Sequence, residues 1–124
     1  MNKKRPVNLD LGTLKFPVMA IASILHRVSG MVLFLLLPLM LYFLQLSLVS
    51  PQSFADLQIL LANPLIKIVL WGFGSALIYH LLAGIRHLLM DLGLGEHLPA
   101  GRTSAAVMIG CSVILIIFLG FWIW

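Results

Sequence analysis

Three stretches of this sequence, residues 28–49, 68–85 and 103–124, run for 22, 18 and 22 positions without an aspartate, glutamate, lysine or arginine. At about 1.5 Å of helical rise per residue, even the shortest makes a helix of about 27 Å, enough to cross the hydrocarbon core of a bilayer. No water is available there to satisfy backbone groups, so runs this rich in Leu, Ile, Val and Phe span as helices rather than as barrel strands. The expected fold is all-α and integral to the membrane. It forms a single anchor domain over residues 1–124, with spans near 21–49, 65–90 and 103–124. A hydrophobic share of 61%, a charged share of 10% and a mean hydropathy of +1.09 leave no soluble domain to be placed.

Orientation follows from the basic residues. Lys3, Lys4, Arg5, Lys15, Arg27, Arg86 and Arg102 fall on one side of the three spans and only Lys67 on the other. The positive-inside rule then puts the N-terminus and the 91–102 loop in the cytoplasm, and the 50–63 loop and Trp124 outside. Trp71, Trp122 and Trp124 agree, since all three fall near the outer interface, where indoles are favoured. The first apolar run begins too late, and lacks the small-residue cleavage site, for a signal peptide, so it is expected to stay as a span. A pI near 9.7 could suggest nucleic acid, but the net charge of +4 is spread along membrane boundaries, so no nucleic-acid partner is expected. Ser50-Pro51 reads as an N-cap with proline at the first helical position, opening a short interfacial helix through Leu61. The inner loop carries Gly93, Gly95, Pro99 and Gly101 and reads as turn-rich.

Several chemistries lack their residues. Cys111 is the only cysteine, so no intrachain disulfide, covalent heme attachment or iron–sulfur cluster can be built. No dinucleotide fingerprint, GxSxG or HExxH is present. A proton-coupled transporter would be expected to hold a carboxylate within a span, whereas Asp10, Asp56, Asp91 and Glu96 all lie outside them. Any redox group must therefore be held without a covalent bond.

Two constellations remain. His80 is the one acidic or basic side chain between Lys67 and Arg86, and an ionisable group inside a span points to function by default. On a helix His80, Gly84, His87 and Asp91 form a single stripe. Two readings of its centre stand on spacing alone. Gly84 makes room beside the imidazole for a flat macrocycle, or it serves helix packing while His80 bonds a neighbouring carbonyl. His87 and Asp91 read as an ion pair at the helix end. At the inner mouth of the first span, Ser23 and Arg27 share a face with His26 beside them. Such a mouth can clamp carboxylates such as heme propionates or polarise a small carbonyl ligand, while a snorkelling anchor accounts for Arg27 alone. Because the first two spans run in opposite directions, Arg27 and Arg86 are expected at one interface, with His80 roughly 9 Å deeper.

Arg5-Pro6, Ser23-x-x-His26-Arg27-x-Ser29 and His80-x-x-x-Gly84-x-Arg86-His87-x-x-x-Asp91-x-Gly93 together resemble the cytochrome b subunits of bacterial succinate dehydrogenase, the larger membrane anchors of complex II. The resemblance covers residues 5–93, and the third span adds length without identity. It implies a chain that pairs with a second three-helix anchor subunit, with heme b between the two and one axial histidine from each. It also implies a flavoprotein subunit and an iron–sulfur subunit bound above them, in the bacterial inner membrane.

Residue by residue, the resemblance implies His80 as the iron ligand and His26 and Arg27 as propionate partners. Ser23 and Arg27 would border the ubiquinone pocket, with Phe16 and Ile24 lining it more loosely. The chain would pass electrons from succinate oxidation to ubiquinone as one subunit of the enzyme, with no complete active site of its own. A fumarate reductase anchor and a cofactor-free structural anchor are the alternatives.

Overall fold

The computed structural model describes residues 17–124. Lys3, Lys4, Arg5, Pro6, Asp10, Lys15 and Phe16, which the sequence reading used, lie outside the described residues. Four helices follow in order: α1 (Val18–Val49), α2 (Pro51–Leu61), α3 (Pro64–Asp91) and α4 (Leu98–Ile123). α1, α3 and α4 are each long and apolar enough to cross a membrane, and no strand occurs among the described residues.

Local chemistry sets the helix boundaries. Ser50 is extended and its hydroxyl accepts the Ser53 N–H at 3.0 Å, with Pro51 at the first helical position, so the short helix expected through Leu61 is present as α2. Ser53 Oγ then donates to Leu46 O at 2.6 Å and folds α2 back onto the end of α1. Asn63 caps α3 in the same way, its Oδ1 accepting the Leu65 N–H at 2.8 Å ahead of Pro64.

At the other end of the bundle the chain reverses through 92–97. Gly93 and Gly95 take the left-handed conformation there, at φ 86° and 71°. This turn is shorter than the glycine- and proline-rich loop expected over 91–102, because α4 already starts at Leu98. Pro99 sits in its first turn, where a backbone N–H would have no partner in any case. Gly101 is buried inside α4, and a Cβ there would come within 3.0 Å of Met19 Cε.

α1, α3 and α4 meet around Ala22, Tyr79, Ala83, Ala105 and Met108. Three alanines in this cluster let the helix backbones approach closely, which is how spans associate when lipid is as apolar as leucine. Tyr79 Oη donates to Ala22 O at 2.8 Å and ties α3 to α1. Arg86 ties α3 to α4, its Nε donating to Ser104 Oγ at 3.0 Å and its Nη2 to Gly101 O at 3.1 Å. At the far end Trp71 Nε1 donates to Ile116 O at 2.9 Å, and the indole lies over Gly120 and edge-on to Trp124. Most other large apolar side chains point outward, Phe34 and Phe121 at 78% exposure among them, as on helices whose surroundings are lipid or other spans.

Candidate functional site

The two constellations of the sequence face each other across the α1–α3 contact. The imidazoles of His26 and His80 lie 4.3 Å apart between centroids, with 34° between their planes. This register differs from the expected one, which placed His80 well below Arg27 and His26. α1 begins at Val18, so Arg27 is already well inside the helix. Side chains also lean toward the N-terminus of their own helix, and in an antiparallel pair those leans are opposed. His26 therefore reaches toward Gly84 and His80 toward Gly30, and the rings meet between them. Arg27 and Arg86, expected at one interface, line one cavity.

His80 Nδ1 is occupied twice by α1. It lies 3.0 Å from Ser29 Oγ and 3.2 Å from His26 O, and Ser29 Oγ also donates to His26 O at 2.7 Å. Nε2 of His80 has no hydrogen-bond partner among the described residues. Gly30 lies against the same ring, where a Cβ would stand 3.1 Å from Cε1. Gly84 does not open the space beside His80 that the spacing suggested. It faces His26 instead, and a Cβ there would meet His26 Nε2 at an ordinary 3.8 Å.

Ser23, His26 and Arg27 line one cavity of about 180 Å³ together with Arg86 and His87. His26 Nε2 is buried without a hydrogen-bond partner among the described residues. A buried polar atom left this way is costly unless something meets it. With two guanidinium groups, two imidazoles and a hydroxyl around it and no carboxylate in its wall among the described residues, this cavity suits an anionic group or a carbonyl oxygen. Ile24 is turned outward at 47% exposure and does not line it.

The sequence alone assigns no role at this site to Ser29, Gly30 or Arg86, although Ser29 and Arg86 stand in the motifs. Ser29 and Gly30 adjoin the Ser23–Arg27 cluster and continue its helical face at i+3 and i+4 from His26, which was the available signal. His87 had been given only a helix-end role. It does approach Asp91 at 3.6 Å, and its ring also reaches the cavity.

The donor set fits a heme. His80 offers a nitrogen lone pair at Nε2 with the other ring nitrogen already oriented, as iron-binding histidines do. The orphaned His26 Nε2 and the two arginines fit carboxylate groups beside it. The rings of His26 and His80 are in contact, which leaves no gap between them for a macrocycle. Of the other three histidines, His26 lies against His80, His87 approaches Asp91, and His97 occupies the N-cap position of α4 without a side-chain cap bond.

Comparison with known proteins bears on the chain as a whole. The family model described as succinate dehydrogenase/fumarate reductase transmembrane subunit matches residues 1–119. The chain is similar over its full length to the succinate dehydrogenase cytochrome b556 subunit of Coxiella burnetii, at 54% identity with all of both chains covered. It is 36% identical to the protein of the same name from Paracoccus denitrificans, over 90% of this chain and 85% of that one. It is 35% identical to the succinate dehydrogenase cytochrome b560 subunit of Marchantia polymorpha, over 93% and 88%.

Proposed function

The chain belongs to the succinate dehydrogenase/fumarate reductase transmembrane subunit family, and from that premise we propose that it is the heme b-carrying membrane anchor of a succinate:ubiquinone oxidoreductase. It sits in the bacterial inner membrane with its N-terminus in the cytoplasm. There it pairs with a second three-helix anchor subunit and carries the iron–sulfur and flavoprotein subunits, whose cofactors have no motifs in this sequence. The direction of electron flow is set by the quinone and those subunits, which is why one family description spans both enzymes.

The observation that carries this reading is the His80 ring, fixed through Nδ1 by two oxygens of α1 and, among the described residues, without a partner at Nε2. His80 would hold the heme iron through Nε2, with a histidine of the partner anchor as the second ligand. The bound heme supplies a low-spin one-electron redox centre. His26 Nε2 and the Arg27 guanidinium neutralise the propionates, which answers the unpaired buried nitrogen. Ser23 donates its hydroxyl to a quinone carbonyl. Arg27 stabilises the negative charge that builds on the quinone as it is reduced, an interaction strengthened by the low dielectric of the span. The cavity of about 180 Å³ is one wall of that quinone pocket, to be completed by the partner subunits.

Purification of the assembled complex tests the proposal directly. The expected result is co-purification with a second anchor, an iron–sulfur protein and a flavoprotein, and a reduced-minus-oxidised spectrum of b type. His80→Ala should alter that spectrum and its midpoint potential. An unaltered spectrum and potential would remove His80 as the ligand.

A further inference from the structure

We infer that Ser29 is a positioning residue for the heme: it gives the Nδ1 hydrogen of His80 a second, closer acceptor beside His26 O and thereby lowers the heme's redox potential. This rests on the reading of His80 as axial ligand. The hydroxyl of Ser29 has one hydrogen, and its shortest partner is His26 O at 2.7 Å. Once that hydrogen is committed, Oγ presents a lone pair to His80 Nδ1 at 3.0 Å. His26 O, at 3.2 Å from the same nitrogen, can only accept. Two acceptors facing one ring nitrogen require that nitrogen to hold the hydrogen, so Nδ1 is protonated and the lone pair stays on Nε2. Ser29 is buried, at 6% exposure, so water does not compete for these bonds.

The electronic consequence follows from the direction of the bond. An imidazole whose N–H is drawn toward acceptors is a more basic ligand, and a more basic ligand favours the oxidised iron. Ser29→Ala leaves Nδ1–H with the longer contact to His26 O alone. The ring becomes a poorer donor and the potential rises. Ser29→Thr keeps a hydroxyl that can bond the carbonyl three residues back in a helix and should restore the original value.

The test is a redox titration of the b-type absorbance in purified complex, comparing the parent protein with Ser29→Ala, Ser29→Thr and His80→Ala. The expected result is an upward shift in Ser29→Ala with heme content retained, and a return toward the parent value in Ser29→Thr. If the alanine variant loses its heme, Ser29→Cys takes its place, because its thiol is nearly as compact and a weaker acceptor, and the same upward direction is expected. A zero or downward shift in whichever variant is read, with His80→Ala displaced, overturns the role of Ser29 while leaving the ligand in place. No displacement in His80→Ala means that the ligand reading itself has failed.

Discussion

Gly30 lies flat against the His80 ring, and a Cβ placed on it would stand 3.1 Å from Cε1. That is closer than a carbon normally comes, so the seat of the imidazole depends on the missing side chain. The ring is held by hydrogen bonds on one edge and by van der Waals contact with α1 beside it. A helix glycine costs about 1 kcal/mol against alanine, and here the close approach of the ring is the compensation.

Gly30→Ala should accordingly disturb the heme where Gly84→Ala does not. The first pushes the ring off its oxygens, an overpacking cost of about 1–3 kcal/mol. The second adds a methyl at an ordinary 3.8 Å from His26 Nε2. The heme-to-protein ratio and the position of the reduced absorbance band in purified complex distinguish the two. Equal behaviour of both variants would mean that Gly30 does not seat the ring.

Ser23→Ala and Arg27→Leu, in assembled complex, should slow succinate-dependent quinone reduction and leave succinate oxidation by a soluble artificial acceptor largely intact, because the proposed function puts the flavin and clusters in other chains. Loss of Arg27 should cost up to about 10²-fold in quinone turnover, the scale of one donor to developing negative charge, and loss of Ser23 less. Arg27→Leu should also shift the heme potential, whereas Ser23→Ala should not. Unchanged quinone kinetics in both variants would return the cluster to a snorkelling anchor at the membrane surface.

The seven-to-one distribution of basic residues predicts a cytoplasmic N-terminus and an outward C-terminus. Fusing a reporter after Trp124 tests this. Activity of a reporter that works only outside the cytoplasm is expected, and activity of one that works only within it would reverse the topology and put both histidine motifs on the wrong side for a succinate-fed complex.

What could be read from the sequence was what one helix encodes by itself. The cap at Ser50-Pro51 and the pairing of His87 with Asp91 involve residues within a turn of each other, and the structure contains both. Periodicity likewise placed Ser23 and Arg27 on one face, and they line one cavity. The axial offset between α1 and α3 was not legible. It is set by how closely Ala22, Ala83 and Ala105 let three backbones approach and by the Tyr79 bond to Ala22 O, none of which a single strip of sequence displays. That packing turned Gly84 toward His26 rather than His80 and brought the His26 ring into contact with the His80 ring. Gly101 was misread for a related reason, since a glycine buried beneath a methionine of another helix looks, in sequence, like a glycine in a loop.

The contact of the His26 ring with the His80 ring has a consequence for how a cell takes stock of this protein. The two rings leave no slot between them, so if the heme takes one histidine from each of two anchor subunits, surplus copies of this chain would gain none by themselves. On the proposed reading, cytochrome absorbance counts matched pairs of anchor subunits rather than copies of either. Overproducing this polypeptide alone should raise its abundance in the membrane without deepening the colour, and the spectrum becomes a gauge of stoichiometric assembly.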